Sequence, residues 1–211
     1  MVSGAVLVTA YLVGAIPCSN IVAHVAARAD LRRFGTGTVS GSNLYRLAGF
    51  PALAVGGLAD IAKGAMGPGL AVGLDQPTAV AVLAGGLAVT GHNWSVFLRW
   101  AGGRGISPGM GAGLVLAWPA TLVLALGLAI GRLVHATALG SFVAQLLLTP
   151  VLWITEGPSG AAVGVALAIP MLVKRLMGNS APEQWSSATV VSRLMFDRDP
   201  TAATGSDGSR A

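Results

Sequence analysis

Apolar residues fall in long blocks separated by short polar or glycine-rich stretches. The first, 2–27, is long enough to cross a bilayer, which takes about 20 residues of helix. The second, 51–74, opens on Pro51, a residue suited to a first helical turn. Residues 78–90 lead back, and their apolar face extends through Trp94 to Leu98. A fourth block covers 109–130, with a kink expected at Trp118-Pro119. A fifth covers 136–154, ahead of a turn at Glu156-Gly157-Pro158. The block 159–170 is shorter than a span and is followed by Lys174 and Arg175. A re-entrant or interfacial segment satisfies both facts, and so does a division of 109–155 into more, shorter helices. The pattern predicts an all-α, polytopic integral membrane helical bundle of five to seven transmembrane helices. Residues 1–178 make the membrane domain, and the polar stretch 179–211 reads as a disordered cytoplasmic tail.

Composition supports the membrane reading. The 211 residues are 54% hydrophobic and 10% charged, where a soluble domain carries about 25% charged residues. The net charge of +5 does not point to nucleic acid, because the basic residues cluster at block ends, where topology and anionic headgroups account for them. Arg28, Arg32, Arg33 and Arg46 make 28–50 the most basic loop, which the positive-inside rule puts in the cytoplasm. The N-terminus is then outside, as is the acidic turn Asp75-Gln76-Pro77. Arg132 breaks the rule if its block end is also outside. Cys18 is the single cysteine, so an internal disulfide and a cysteine metal cluster are excluded. No basic region precedes the first block, which argues against a cleaved signal peptide.

Two polar stretches fall on the same side of this topology, 35–46 (GTGTVSGSNLYR) and 91–108 (GHNWSVFLRWAGGRGISP). Glycines let successive backbone N–H groups face one point, and a neighbouring arginine adds fixed positive charge, a combination that suits a phosphate or carboxylate. Candidate ligand-facing residues are Arg46, Arg104, Lys63, His92 and Asn93. Asp60 and Lys63, spaced i, i+3, read equally well as a structural ion pair. The spacings Gly109/Gly113, Gly127/Gly131 and Gly160/Gly164 allow close helix contact. His24, His92 and His135 make no metal constellation, and the Walker and Gly-x-Ser-x-Gly patterns are absent. His92 is the one candidate base, without an evident orienting partner. Such a site suits an already activated substrate that needs positioning and charge stabilisation. A transporter fits less well, since no inverted repeat is visible.

The ordered motifs resemble those of the membrane glycerol-3-phosphate acyltransferases that use acyl phosphate, the PlsY family. Residues 35–46 align with that family's G-S-G-N-x-G-A-T-N-x-x-R loop, Asp60-Ile61-Ala62-Lys63-Gly64 with D-x-x-K-G, and 91–105 with G-H-N-x-P-V-F-L-x-F-x-G-G-K-G. The resemblance runs from about residue 11 to 113. It implies a bacterial inner-membrane enzyme that moves a fatty acyl group from acyl phosphate to glycerol 3-phosphate, giving lysophosphatidic acid and phosphate. It implies membrane phospholipid as surroundings, no cofactor and no metal. The implied substrate-binding set is Thr36, Gly37, Asn43, Arg46, Lys63, His92, Asn93, Gly102, Gly103, Arg104 and Gly105. Within it Arg46 and Arg104 hold phosphates, the Thr36 hydroxyl bonds substrate, the backbone N–H groups of 102–105 clamp phosphate, and His92 and Asn93 shape the loop. Thr36, Thr38, Ser40, Ser95 and Arg104 depart from the pattern. So do Ile169 and Leu172, which stand where the family has histidine and asparagine ahead of the basic Lys174-Arg175. These departures carry a second reading, a catalytically impaired or altered-substrate relative that binds phosphate or phospholipid.

Overall fold

The computed structural model describes residues 1–179, 182 and 184–197, all helix and loop. Helices α1 (Val2–Ala15) and α2 (Cys18–Ala27) continue one another across a break at Ile16-Pro17. Proline supplies no N–H and its ring crowds the preceding turn, so carbonyls there lose their helical partners. α3 (Gly41–Gly73) is two limbs, 41–48 and 50–73, meeting at Gly49 with φ 77°. α4 (Thr78–Asn93), α5 (Ile106–Leu116), α6 (Trp118–Leu133) and α7 (Thr137–Met177) follow, and the short α8 (Ser187–Val191) lies in the tail. Among the described residues four stretches are long and apolar enough to cross a membrane: Val2–Ala27, Gly41–Gly73, Thr78–Leu98 and Thr137–Met177.

Side-chain contacts order the ends of these helices. Val6, Ala71 and Ala81 share one apolar cluster, and Ser3 Oγ donates to Gln76 Oε1 at 2.7 Å, so the N-terminus and the Asp75 turn share one end. At the opposite end the Arg132 guanidinium lies 5.3 Å from the Tyr45 ring centroid, and Arg175 donates to Ser141 Oγ at 3.1 Å. The loops 28–40 and 94–105 are at this second end, where Val39 N–H donates to Gly102 O at 3.2 Å. Both glycine-rich loops therefore share one side, as the charge pattern predicts. Arg132 is no exception, because its helix end lies with the loops.

The second half of the chain differs from the expected spans. The block 109–130 is not a kinked crossing. α5 is 11 residues long, about 16 Å of helix against a hydrocarbon core of about 30 Å. The chain then reverses at Ala117, and α6 returns to the loop end, with Thr121 Oγ1 donating back to Met110 O at 2.7 Å. The block 159–170 is neither re-entrant nor interfacial: it belongs to a helix that continues to Met177. α7 is a hairpin of two limbs, 137–156 and 158–177, turning at Gly157 with φ 68°, within the turn read from Glu156-Gly157-Pro158. A left-handed backbone costs glycine no Cβ clash, and Pro158 then starts the second limb.

All three small-residue pairs lie at close contacts. A Cβ on Gly127 would sit 2.4 Å from Ala144 Cβ and one on Gly131 2.9 Å from Thr137 Cα, which zips α6 against the first limb of α7, and one on Gly164 would sit 2.6 Å from Thr149 Cα, which closes the two limbs of α7 on each other. Gly109 and Gly113 do the same for α5 against α6 and α7. Within the stretch expected to be a disordered tail, residues 184–197 carry α8 and one π-helical turn, Ser192–Phe196, packed on α7. Residues 198–211 of that stretch lie outside the described residues.

α1 and α4 meet through backbone. A Cβ on Gly91 would stand 2.2 Å from Tyr11 O. Gly91→Ala is expected to destabilise the protein by about 1–3 kcal/mol, the usual cost of overpacking. Gly69→Ala, where nothing lies within 4 Å, is expected to leave stability unchanged or slightly raised. Thermal unfolding of both variants in detergent micelles checks the contrast.

Candidate active site

The break at Pro17 is the floor of the site. Its freed carbonyls are taken by side chains from other helices: Lys63 Nζ donates to Ile16 O at 2.5 Å and Ser95 Oγ to Ala15 O at 2.6 Å. Lys63 Nζ also pairs with Asp60 Oδ1 at 2.9 Å, and Ser19 Oγ donates to Asp60 Oδ2 at 2.6 Å. His92 Nδ1 lies 3.7 Å from Asp60 Oδ1. All of these side chains are buried. Lys63 is thus committed to an internal ion pair, which accords with the structural reading of Asp60 and Lys63 and leaves its ammonium no open face toward a ligand.

Above this floor the two loops interlock. Asn43 organises the first: its Nδ2 donates to Phe34 O at 2.7 Å, Thr38 O at 3.1 Å and Leu31 O at 3.3 Å. Asp30 and Arg32 brace its start through a multiply bonded pair. The Arg32 hydrogen bonds hold the Asp30 carboxyl down at about 2, and Arg32 Nη1 reaches Leu98 O in the second loop at 3.4 Å. Asn93 ties the second loop to α7 through Pro170 O at 2.8 Å. His92 O accepts from Gly103 N at 3.1 Å. His92 and Asn93 thus both bond the second loop to its surroundings.

Asn179 joins both loops and was not singled out by sequence reasoning. Its Nδ2 donates to Gly37 O and to Gly102 O, each at 3.0 Å, and its Oδ1 accepts from Gly102 N at 3.1 Å. The sole sequence signal is its place just past Gly178, which ends α7 with φ 69°.

The expected clamp of backbone N–H groups is altered. Gly102 N and Gly103 N both donate inward, to Asn179 and His92. A Cβ at 102 would sit 2.2 Å from His92 O, and one at 103 would sit 2.1 Å from His92 Nε2 and 2.5 Å from Val39 O. These two glycines serve close packing of loop on loop. Gly105 is the N-cap of α5, with φ 77°. Thr36 is exposed at the tip of the first loop, and Gly37 is half-buried beside Asn179.

The two arginines are not equivalent. Arg46 is exposed on the 41–48 limb and makes no hydrogen bond or ion pair among the described residues. Arg104 is held: Nη1 donates to Lys174 O at 2.7 Å, and Nη2 pairs with Asp197 Oδ1 at 2.5 Å. Lys174 is buried, with Nζ 5.2 Å from the Trp94 ring centroid and 3.4 Å from Trp100 O. A cavity of about 280 Å³ opens there, lined by Trp94, Trp100, Lys174, Asn179 and Trp185 among others. Trp94 also borders an apolar groove of about 380 Å³ between α4 and the second limb of α7. Ile169 lines that groove, and Leu172 packs against the main apolar core.

A multi-pass helical membrane protein with two interlocked glycine loops and a cluster of cations at one end defines a class that handles anionic substrates at a bilayer surface. The chain matches the family described as glycerol-3-phosphate acyltransferase over residues 4–180. It is 35% identical over 196 residues to the glycerol-3-phosphate acyltransferase of Synechococcus sp. (strain CC9902), covering 92% of each chain. It is also 35% identical over 203 residues to glycerol-3-phosphate acyltransferase 4 of Dehalococcoides mccartyi (strain CBDB1), covering 90% of this chain and 86% of that one. The fold is that of the crystal structure of PlsY (YgiH), an integral membrane glycerol 3-phosphate acyltransferase, in its glycerol 3-phosphate form. The TM-score is 0.76 with 22% identity over 94% of both chains, and it is 0.75 for the lysophosphatidic acid form. This chain belongs to the glycerol-3-phosphate acyltransferase family, enzymes of phospholipid synthesis.

Removing one member of the buried pair isolates its partner. Asp60→Asn is expected to cost about 3–5 kcal/mol, because the Lys63 charge is left without its carboxylate. The double variant Asp60→Asn/Lys63→Met is expected to recover most of that loss. Thermal unfolding of the single and double variants in the same detergent checks the pair.

Proposed function

We propose that the chain transfers a fatty acyl group from acyl phosphate to the 1-hydroxyl of glycerol 3-phosphate, releasing phosphate and lysophosphatidic acid. The hydroxyl oxygen attacks the acyl carbonyl carbon, the carbonyl carbon–phosphate oxygen bond breaks, and the hydroxyl proton leaves with the phosphate or to water. The mixed anhydride is already activated, so positioning and charge neutralisation carry most of the barrier lowering. The observation that carries this reading is the joining of the two loops at Asn179 and Gly102 with Arg104 beside the joint. Arg104 receives a substrate phosphate, the exposed Thr36 hydroxyl bonds substrate from the first loop, and Arg46 supplies charge from the rim. His92, buried against Asp60 and Gly103, orders the loop and takes no proton from substrate.

Membrane topology follows from charge. Every described arginine and lysine except the paired Lys63 lies at the loop end, while Asp75 and Glu156 sit at turns on the other. By the positive-inside rule the loop end is cytoplasmic and the N-terminus outside. The bundle then has five long crossings, the two limbs of α7 counting separately, with α5 (11 residues) and α6 (16 residues) as a shorter hairpin that returns to the loop end. This orientation fits a bacterial inner membrane with phospholipid around the bundle.

The acyl-transfer assay uses purified protein, acyl phosphate and labelled glycerol 3-phosphate. Arg104→Ala is expected to lower kcat/KM by at least about tenfold, the loss of one charged hydrogen-bonding group. Absence of lysophosphatidate above the Arg104→Ala background would favour the impaired-relative reading, which Ile169 and Leu172 motivate. Topology is tested in a Cys18→Ala background by labelling Arg33→Cys and Gln76→Cys with a membrane-impermeant maleimide. Residue 33 is expected to react only in inside-out vesicles and residue 76 only in right-side-out ones.

A further inference from the structure

Asp197 faces the guanidinium to which the proposed function gives a substrate phosphate, taken here as that of the acceptor. The guanidinium is a planar fork of five N–H donors that grips oxyanions two at a time. One arm of that fork on Arg104 is used by the protein itself, Nη1 donating to Lys174 O. The Nε/Nη2 edge is left. Asp197 Oδ1 meets it at Nη2, 2.5 Å away, and Nε is buried with no acceptor among the described residues. The edge holds an anion yet is half satisfied. A phosphate brings more oxygens and, near neutral pH, a charge of about −1.5 to −2 against the carboxylate's single charge.

The rest of the tail has hydrogen-bonded anchors of its own, although Arg175 among them also feels the charges of Asp197 and Arg104. Ser186 caps α8, its Oγ accepting from Thr189 N at 3.1 Å. Arg175 Nε donates to Leu194 O at 2.5 Å, and Arg193 Nη1 donates to Leu176 O at 3.1 Å and Met177 O at 2.7 Å at the end of α7. The Arg193 guanidinium also lies 5.5 Å from the Trp185 ring centroid. These anchors end three residues before Asp197, so its carboxylate can leave Arg104 without the segment undocking.

We propose that Asp197 is an affinity-determining residue for the acceptor: its carboxylate occupies the half-satisfied Nε/Nη2 edge of Arg104, and glycerol 3-phosphate binds by displacing it. The inference rests on the reading of Arg104 as the phosphate holder. Asp197 acts through Arg104 and is a positioning residue, not a catalytic one.

The test uses the full chain in detergent and reads the two Michaelis constants separately. Asp197→Asn is expected to lower KM for glycerol 3-phosphate about fivefold, the range of one partly exposed ion pair. It is expected to leave kcat within about twofold and KM for acyl phosphate unchanged. Asp197→Ser should repeat the result, and a melting curve equal to wild type shows the fold intact. A merely structural role would move kcat or both Michaelis constants together. An unchanged or raised KM for glycerol 3-phosphate overturns the proposal. If the wild type makes no lysophosphatidate, the acyl-transfer reading fails by itself. Calorimetric titration with glycerol 3-phosphate then decides: tighter binding by Asp197→Asn upholds the displacement, and equal or weaker binding ends it.

Discussion

A charge pair inside a bilayer-spanning bundle has to be fully satisfied or it unfolds the helices around it. Asp60 and Lys63 meet that demand with groups from two other helices and the break in the first span. Ser19 comes from α2, the carbonyl of Ile16 from the proline break and His92 from the end of α4. The pair fixes where α4 ends, and the second glycine loop leaves from that end. Pro17 makes this possible. An unbroken first helix would keep its carbonyls for itself, and the Lys63 ammonium would lack its second acceptor.

The loops above the pair are packed against one another more than they are open toward solvent. Gly102 and Gly103 are small because His92, Asn93 and Val39 leave no room, and their N–H groups point into the protein. The positive character of the site comes from side chains, Arg104 first and Lys174 behind it. Guanidinium at 104, where the resembling motif has lysine, brings a second donor arm. That arm is what lets Arg104 bond Lys174 O and still leave its other edge to Asp197.

Much of this was legible in the residues. The long crossings, the shared side of the two loops, the turn at Glu156-Gly157-Pro158 and the loop-shaping work of His92 and Asn93 all follow from apolar length, arginine placement and motif order. The reversal at Ala117 was not legible. A kinked span and a short hairpin present the same apolar composition, and the difference lies in which small residues meet, such as Gly113 against Thr121. The block 159–170 misled because it was measured between prolines. Pro158 starts its limb and Pro170 is carried inside it, since neighbouring helices in a bundle can absorb a proline's lost hydrogen bond. Asn179 and Asp197 were invisible for another reason. Each acts on residues about 75 to 140 positions away in the chain, and no local pattern marks such a partner.

The gathering of cationic side chains at one end has a consequence for biogenesis. Inverting the finished bundle would drag those guanidinium and ammonium groups through hydrocarbon, at about 2.5–3.5 kcal/mol for each group even on the lenient insertion scale. A molecule threaded the wrong way round has no route to correct itself. The arginines of 28–46 emerge ahead of most of the site, so the first charge bias on orientation acts before the site has been synthesised.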